Sequence, residues 1–209
     1  MICNSIRRYR SEKCKSFVRG SRILDIGCSD GDFMSLLKGR NIVGIDIDRA
    51  RLKKAKRYGP VHRVSIFDYF PDGKFDTIIC SDVIEHINND NGKQKKAVID
   101  AFMKKVYGLL NDRGLLILSF PFKPHRTHPQ FVESIPSFRG FALIRRSYMP
   151  VPILFGEVDN ERCMPAIRKN PFLRALHSVV GPLYVAVCCI HGKIKHNSIL
   201  LVYEKRLCG

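Results

Sequence analysis

The feature that most constrains this chain is an alternation. Between residues 20 and 120, short apolar runs exchange with stretches of helical periodicity, with no internal repeat, low-complexity tract or long linker. Residues 22–26, 41–46, 62–67, 75–80 and 115–120 read as strands. Residues 32–38, 49–58 and 91–110 read as helices. In the longest, Val98, Ile99, Phe102, Val106, Leu109 and Leu110 fall at helical spacing. Pro71-Asp72-Gly73-Lys74 is a turn into the fourth strand, Asn111-Asp112-Arg113-Gly114 closes the long helix, and Pro121 closes the fifth strand. Apolar strands separated by helices imply a parallel sheet covered on both faces. Ligands of such sheets lie at the carboxyl ends of the strands, near the switch point. Beyond Pro121 the pattern weakens. Residues 198–205 read as a last strand and 171–180 as a helix. The partner of the last strand is either 151–155 or 184–190, and periodicity does not choose between them.

A chain of 209 residues suits one domain. Its N-terminus lacks the apolar run of a secretory signal, and its longest nearly apolar stretch, 178–190, is too short to span a bilayer. Eight scattered cysteines form no Cys-x-x-Cys pair. The expectation is free thiols in a reducing cytoplasm and no metal site. The 36 Lys and Arg against 19 Asp and Glu leave a net charge of +17. Residues 49–57 alone hold six bases and no acid. Such an excess attracts polyanions, whether RNA or an anionic membrane face, and is equally a solvated basic surface.

The chemistry is concentrated where the first strand ends, at Asp25-Ile26-Gly27-Cys28-Ser29-Asp30-Gly31. Glycines there permit unusual backbone angles and a ligand lying against the main chain. Asp46 closes the next strand, where a carboxylate can accept hydrogen bonds from ribose hydroxyls. Asp68 follows the third strand, beside Phe67, where the pair could hold an adenine. The loop also matches Gly-x-Ser-x-Gly, the nucleophile elbow of serine hydrolases, but too few residues precede it for the strands that fold needs. It lacks the Gly-x-Gly-x-x-Gly spacing of a nicotinamide dehydrogenase.

Four segments in order, Ile23 to Gly31, Val43 to Asp48, Phe75 to His86 and Gly114 to Pro121, resemble the class I S-adenosylmethionine-dependent methyltransferases, in particular their small-molecule branch. The resemblance implies a Rossmann-like three-layer α/β sandwich with a mostly parallel seven-stranded sheet and an antiparallel last strand. It implies a single methyltransferase domain over 1–209: an N-terminal helical segment (1–21), a cofactor-binding half (22–120), and a substrate cover with the last strands (121–209). It also implies roles. Asp25, Gly27, Cys28, Ser29 and Gly31 would contact the amino-acid part of S-adenosylmethionine. Asp46 would hold the ribose, Ile47, Phe67 and Asp68 the adenine, and Ser81 would border the methionine. Glu85 and His86 would face the acceptor. Ser29 departs from the glycine often found in the family, which implies altered loop contacts.

His86 is the candidate general base, because histidine exchanges a proton near neutral pH; it is equally a histidine capping the turn at 88–90. Ser81-Asp82-Val83-Ile84 differs from the Asn-Pro-Pro-Tyr type of motif, which disfavours transfer to a base amino group. Lys123 and Arg126, with His125 and His128, could meet a substrate phosphate after the fifth strand. Phe131, Phe138, Phe141, Tyr148 and Phe155, interleaved with arginines, fit core packing, base stacking, a lid or an interfacial surface. The expected activity is methyl transfer to a small-molecule or lipid acceptor, with an RNA methyltransferase as the alternative and a noncatalytic cofactor-binding protein behind it. The expected location is cytoplasmic, with peripheral membrane attachment left open.

Overall fold

The computed structural model of the chain describes residues 10–87, 96–121, 132, 136–149 and 198–206. Five parallel strands follow in sequence: β1 (Arg22–Ile26), β2 (Asn41–Asp46), β3 (Val61–Arg63), β4 (Phe75–Ser81) and β5 (Leu110–Pro121). β6 (Phe141–Met149) and β7 (Ser198–Lys205) complete a seven-stranded sheet in the order β3-β2-β1-β4-β5-β7-β6. β7 runs antiparallel to both of its neighbours, β5 and β6. The helices are α1 (residues 10–15), α2 (Asp32–Leu36), α3 (Arg49–Ala55) and α4 (Lys96–Leu109).

Two cores show why the strand residues in the middle of the sheet are apolar on both faces. Ile23, Ile79, Ile117 and Val202 point to one face, where Cys14 of α1, Phe33 and Met34 of α2, and Leu52 and Ala55 of α3 cover them. Leu24, Ile78, Leu116 and Leu201 point to the other, against Ile99, Phe102, Met103 and Val106 of α4. Both strand faces are therefore buried, and the three-layer sandwich expected from the sequence is the architecture observed.

The sixth strand is a correction. It is Phe141–Met149, not 151–155 or 184–190. Phe141 is buried, Leu143, Ile144, Arg145 and Arg146 are exposed, and a bulge between Leu143 and Arg145 breaks the two-residue alternation. An outermost strand tolerates such cations, and its apolar signal is correspondingly faint. The third strand is also shorter than read. Its pairing ends at Asp46↔Arg63, and residues 66–68 form a 3-10 turn, with Ser65 Oγ accepting the Phe67 N–H at 3.3 Å. Asn111-Asp112-Arg113-Gly114 does not separate α4 from β5. It lies within β5 as an irregularity, since Phe75 pairs with Leu110 while Thr77 pairs with Leu115, and Arg113 takes a φ of 59° there. The helices end earlier than read, at Leu36 and Ala55. The expected segments 151–155, 171–180 and 184–190 lie outside the described residues, as do Lys123, His125, Arg126, His128, Phe131, Phe155 and the turn at 88–90.

At the far end of the sheet Lys205 is buried. Its ammonium donates to the Leu110 carbonyl at 2.9 Å, lies 3.4 Å from an Asp112 carboxylate oxygen and sits 4.5 Å from the centre of the Tyr107 ring. It thus joins the last strand to the end of α4. Replacing Lys205 with alanine is expected to cost about 1–3 kcal/mol, the scale of a charge-assisted hydrogen bond and a buried acceptor left without its donor. Urea unfolding measures this; a change within 0.5 kcal/mol, roughly the effect of a surface substitution, would refute it.

Candidate active site

β1, β2, β4 and β5 end on one edge of the sheet, and the order reverses between β1 and β4. The crevice at that switch point receives the loop after β1, the end of β2 and the loop after β4.

The first loop is built from left-handed residues. Gly27 has φ 72°, Ser29 φ 51° and Gly31 φ 84°. The Gly27 and Cys28 N–H groups both donate to the Ile45 carbonyl, at 2.8 and 3.1 Å, and turn the chain across β2. A Cβ on Gly27 would lie 2.2 Å from a Val83 methyl, so the loops after β1 and β4 are in direct contact there. Gly27→Ala therefore carries both a disfavoured φ, about 1–2 kcal/mol, and displacement of Val83. It is expected to weaken cofactor binding about tenfold, read by calorimetry; unchanged affinity would contradict this reading of the loop.

Asp46 holds the loop from the side. One carboxylate oxygen accepts the Ser29 N–H at 2.8 Å and the other accepts the Asp48 N–H at 2.9 Å. Each oxygen keeps a lone pair for a ligand hydroxyl. Ser29, the departure from the family pattern, accepts a hydrogen bond from Arg51 at 2.8 Å through its hydroxyl. The serine thus ties the loop to α3 while its backbone adopts the glycine-like angle. Cys28 is placed differently from a ligand-facing residue. Its thiol is buried, and the space above Gly44 is closed by Cys28 and Met34 sulfurs, so only its backbone belongs to the loop. Burial raises the Cys28 thiol pKa far above its ordinary value, with Asp25 and Asp46 adding to the shift.

Asp25 lies beneath the loop, 4 % exposed. Its Oδ2 is buried with no hydrogen-bond partner among the described residues. Burial, and then the nearby Asp46 carboxylate, push its pKa up from 3.8 to about 8. A buried polar atom without a partner costs about 1–3 kcal/mol and calls for an explanation. A cationic ligand group in the crevice would provide one. Ile47 projects from the end of β2, 72 % exposed, and Asp68 is exposed after β3, while Phe67 packs partly into the core.

On the other side of the crevice, Ser81 and Ser119 join β4 to β5 through a 2.8 Å contact between their hydroxyls. Asp82 has a left-handed φ of 55° and donates its N–H to the Ser119 carbonyl at 2.8 Å. Its carboxylate pairs with Arg10, which reaches in from α1. Glu85 is buried, and burial together with Asp82 raises its pKa from 4.5 to about 8. His86 is half-exposed, with Nε2 3.9 Å from a Glu85 oxygen. Arg10, Asp82, Val83 and Ser119 were not singled out by sequence reasoning. Three of them sat inside the quoted segments, and Arg10 is one of seven bases in the N-terminal stretch 1–24. Among the described residues no group of three or more His, Cys, Asp or Glu side chains could hold a metal ion.

Comparison with known proteins follows the same residues. A family profile described as a methyltransferase domain matches residues 4–151. The chain belongs to the class I S-adenosylmethionine-dependent methyltransferases. Curated relatives include the ubiquinone biosynthesis O-methyltransferases of Pelagibacter ubique, 26% identical over 126 residues (56% of this chain, 48% of that protein). That of Rickettsia bellii is 28% identical over 129 residues (56% and 50%). The chain thus spans about half the length of the curated relatives it matches. Among solved structures, the N-methyltransferase NodS of Bradyrhizobium japonicum WM9 shares the fold, with a TM-score of 0.61 at 13% identity and 98% coverage of both chains. NodS has also been solved with S-adenosyl-L-homocysteine (TM-score 0.60, 12% identity, 95% of this methyltransferase and 85% of that chain covered). The fold likewise covers the [4+2]-cyclase SpnF, TM-score 0.59 at 16% identity over 96% and 82%, so architecture alone does not determine the reaction of this methyltransferase domain.

Proposed function

We propose that this chain binds S-adenosylmethionine in the β1–β4 crevice and transfers its methyl group to a small-molecule or lipid acceptor. The observation that carries the reading is the buried Asp25 Oδ2, without a hydrogen-bond partner among the described residues, beneath a loop anchored by Asp46. A cofactor with an ammonium, a ribose and an adenine fits that arrangement. Asp25 and the backbone of Gly27, Ser29 and Gly31 would take the amino-acid end, with Ser81 at its border. Asp46 would accept from the ribose hydroxyls. Ile47, Phe67 and Asp68 would flank the adenine, which accounts for an isoleucine left 72 % exposed.

When bound, S-adenosylmethionine supplies a methyl group on a sulfonium, already activated for displacement. The protein's part is then alignment, which can supply roughly 7–11 kcal/mol of the barrier. Gly27, seated against Val83, and Asp82, tied to Ser119 and Arg10, fix the two walls between which acceptor and donor meet. His86, half-exposed at the mouth, would take the acceptor's proton, a contribution of about 10²–10⁴-fold where the acceptor must lose one. Glu85 behind it would orient the imidazole.

The O-methyltransferase name of the relatives supports an oxygen acceptor; they supply no support for RNA. Among the described residues no helix is long and apolar enough to cross a membrane. The test is transfer of a labelled methyl group into a cell extract, followed by identification of the product. A labelled small molecule or lipid is expected. Label confined to RNA, or no transfer by a chain that binds the cofactor, would overturn the reading.

A further inference from the structure

Phe70 is 82 % exposed, and among the described residues it is the one aromatic side chain so placed. Its neighbour Tyr69 is buried, so a rooted segment carries the exposed ring. Beside it, Phe67, Ala101, Lys104, Lys105, Gly108 and Leu109 line an open groove of about 470 Å³ on the α4 face of the sheet. The Lys105 ammonium stands 3.6 Å from the centre of the Phe70 ring. Lys104 and Lys105 have no acid partner among the described residues, although Asp68 and Asp72 are exposed in the segment around Phe70 and Asp100 one helical turn before Lys104. A protruding apolar ring, an apolar groove and two cations without an acid partner among the described residues therefore share one face.

That combination selects among occupants. A second copy would bring together two chains that each carry a net charge of +17. Single-stranded nucleic acid is held by several stacking aromatics in series, and among the described residues this face exposes one, Phe70. An anionic bilayer supplies both an apolar layer for the ring and phosphates for the lysines. We propose that this face docks on an anionic bilayer, with Phe70 among the acyl chains, a lipid chain along the groove, and Lys104 and Lys105 on lipid phosphates. Phe67 belongs to both this groove and the proposed adenine wall, so docking would set the cofactor crevice beside the membrane surface. The inference does not depend on which acceptor is methylated.

The chain contains no tryptophan, so a Phe70→Trp variant is a single-site reporter. With phosphatidylcholine vesicles containing phosphatidylglycerol, its emission is expected to shift to the blue; with phosphatidylcholine alone it is not. A Lys104→Gln, Lys105→Gln variant is expected to partition onto the anionic vesicles roughly thirtyfold less. The proposal is overturned by no co-sedimentation. It is also overturned by co-sedimentation without a spectral shift, which would assign adsorption to other basic surface such as α3. A shift produced by homopolymeric RNA, or by protein concentration without vesicles, would overturn it too. S-adenosylhomocysteine affinity, expected to be unchanged in these variants, shows that they fold and separates failure of docking from failure of the methyltransferase reading.

Discussion

Replacing Asp46 with alanine is expected to weaken S-adenosylhomocysteine binding by about a hundredfold or more. The estimate rests on charge-assisted hydrogen bonds of about 1.5–3 kcal/mol each, of which the carboxylate serves two kinds. It accepts the Ser29 and Asp48 N–H groups, and so shapes both the β1–α2 loop and the entry to α3. It would also receive the ribose hydroxyls. Asp46→Asn keeps one acceptor and is expected to lose less. Calorimetric titration of both variants reads the effect. Equal affinity in wild type and Asp46→Ala would remove Asp46 from the site.

Asp25→Asn is expected to move stability and affinity in opposite directions. In the folded chain burial raises the Asp25 pKa to about 8, against an ordinary 3.8. Between those values the folded state binds more protons than the unfolded one. The stabilisation this group contributes is full below about pH 4 and is lost as pH rises toward 8. Asparagine mimics the protonated acid and removes that slope. The ligand-free variant should therefore melt higher at pH 8, by roughly 2–4 °C for each kcal/mol gained in a chain of this size. A cationic ligand needs the ionised carboxylate. Wild-type affinity is thus expected to fall as pH drops from 8 to 6, and the variant to bind about tenfold more weakly or worse at pH 8. Glu85, raised to about 8 by burial and Asp82, acts with the same sign. A variant that is less stable than wild type at pH 8, or that binds with unchanged affinity, would refute this role.

The parts of the fold that were legible in the sequence are those where both faces of a strand are buried. Ile23, Leu24 and Ile26, Ile42 and Ile45, and Ile78 to Cys80 have to be apolar because helices cover the sheet on both sides. The loop at 27–31 was legible because its glycines meet steric demands, a Val83 methyl 2.2 Å from where a Cβ on Gly27 would lie and φ angles of 72° and 84°. β6 was illegible because one long edge of it is outermost and a bulge interrupts its alternation. Cys28 was read as a cofactor contact from its place in the loop; its thiol packs into the core while its backbone stays in the loop, because side-chain direction depends on backbone angles that sequence does not display. Arg10 was hidden for another reason: its partner Asp82 lies 72 positions away, and one base among seven in the N-terminal stretch carries no local mark.

Binding of an S-adenosyl compound in the β1–β4 crevice is the central expectation. The most direct measurement is calorimetric titration of the purified chain with S-adenosylhomocysteine at pH 8 and pH 6. The prediction is saturable binding at a single site, tighter at the higher pH. An absence of binding heat at both pH values, or binding that strengthens as the pH falls, would contradict it.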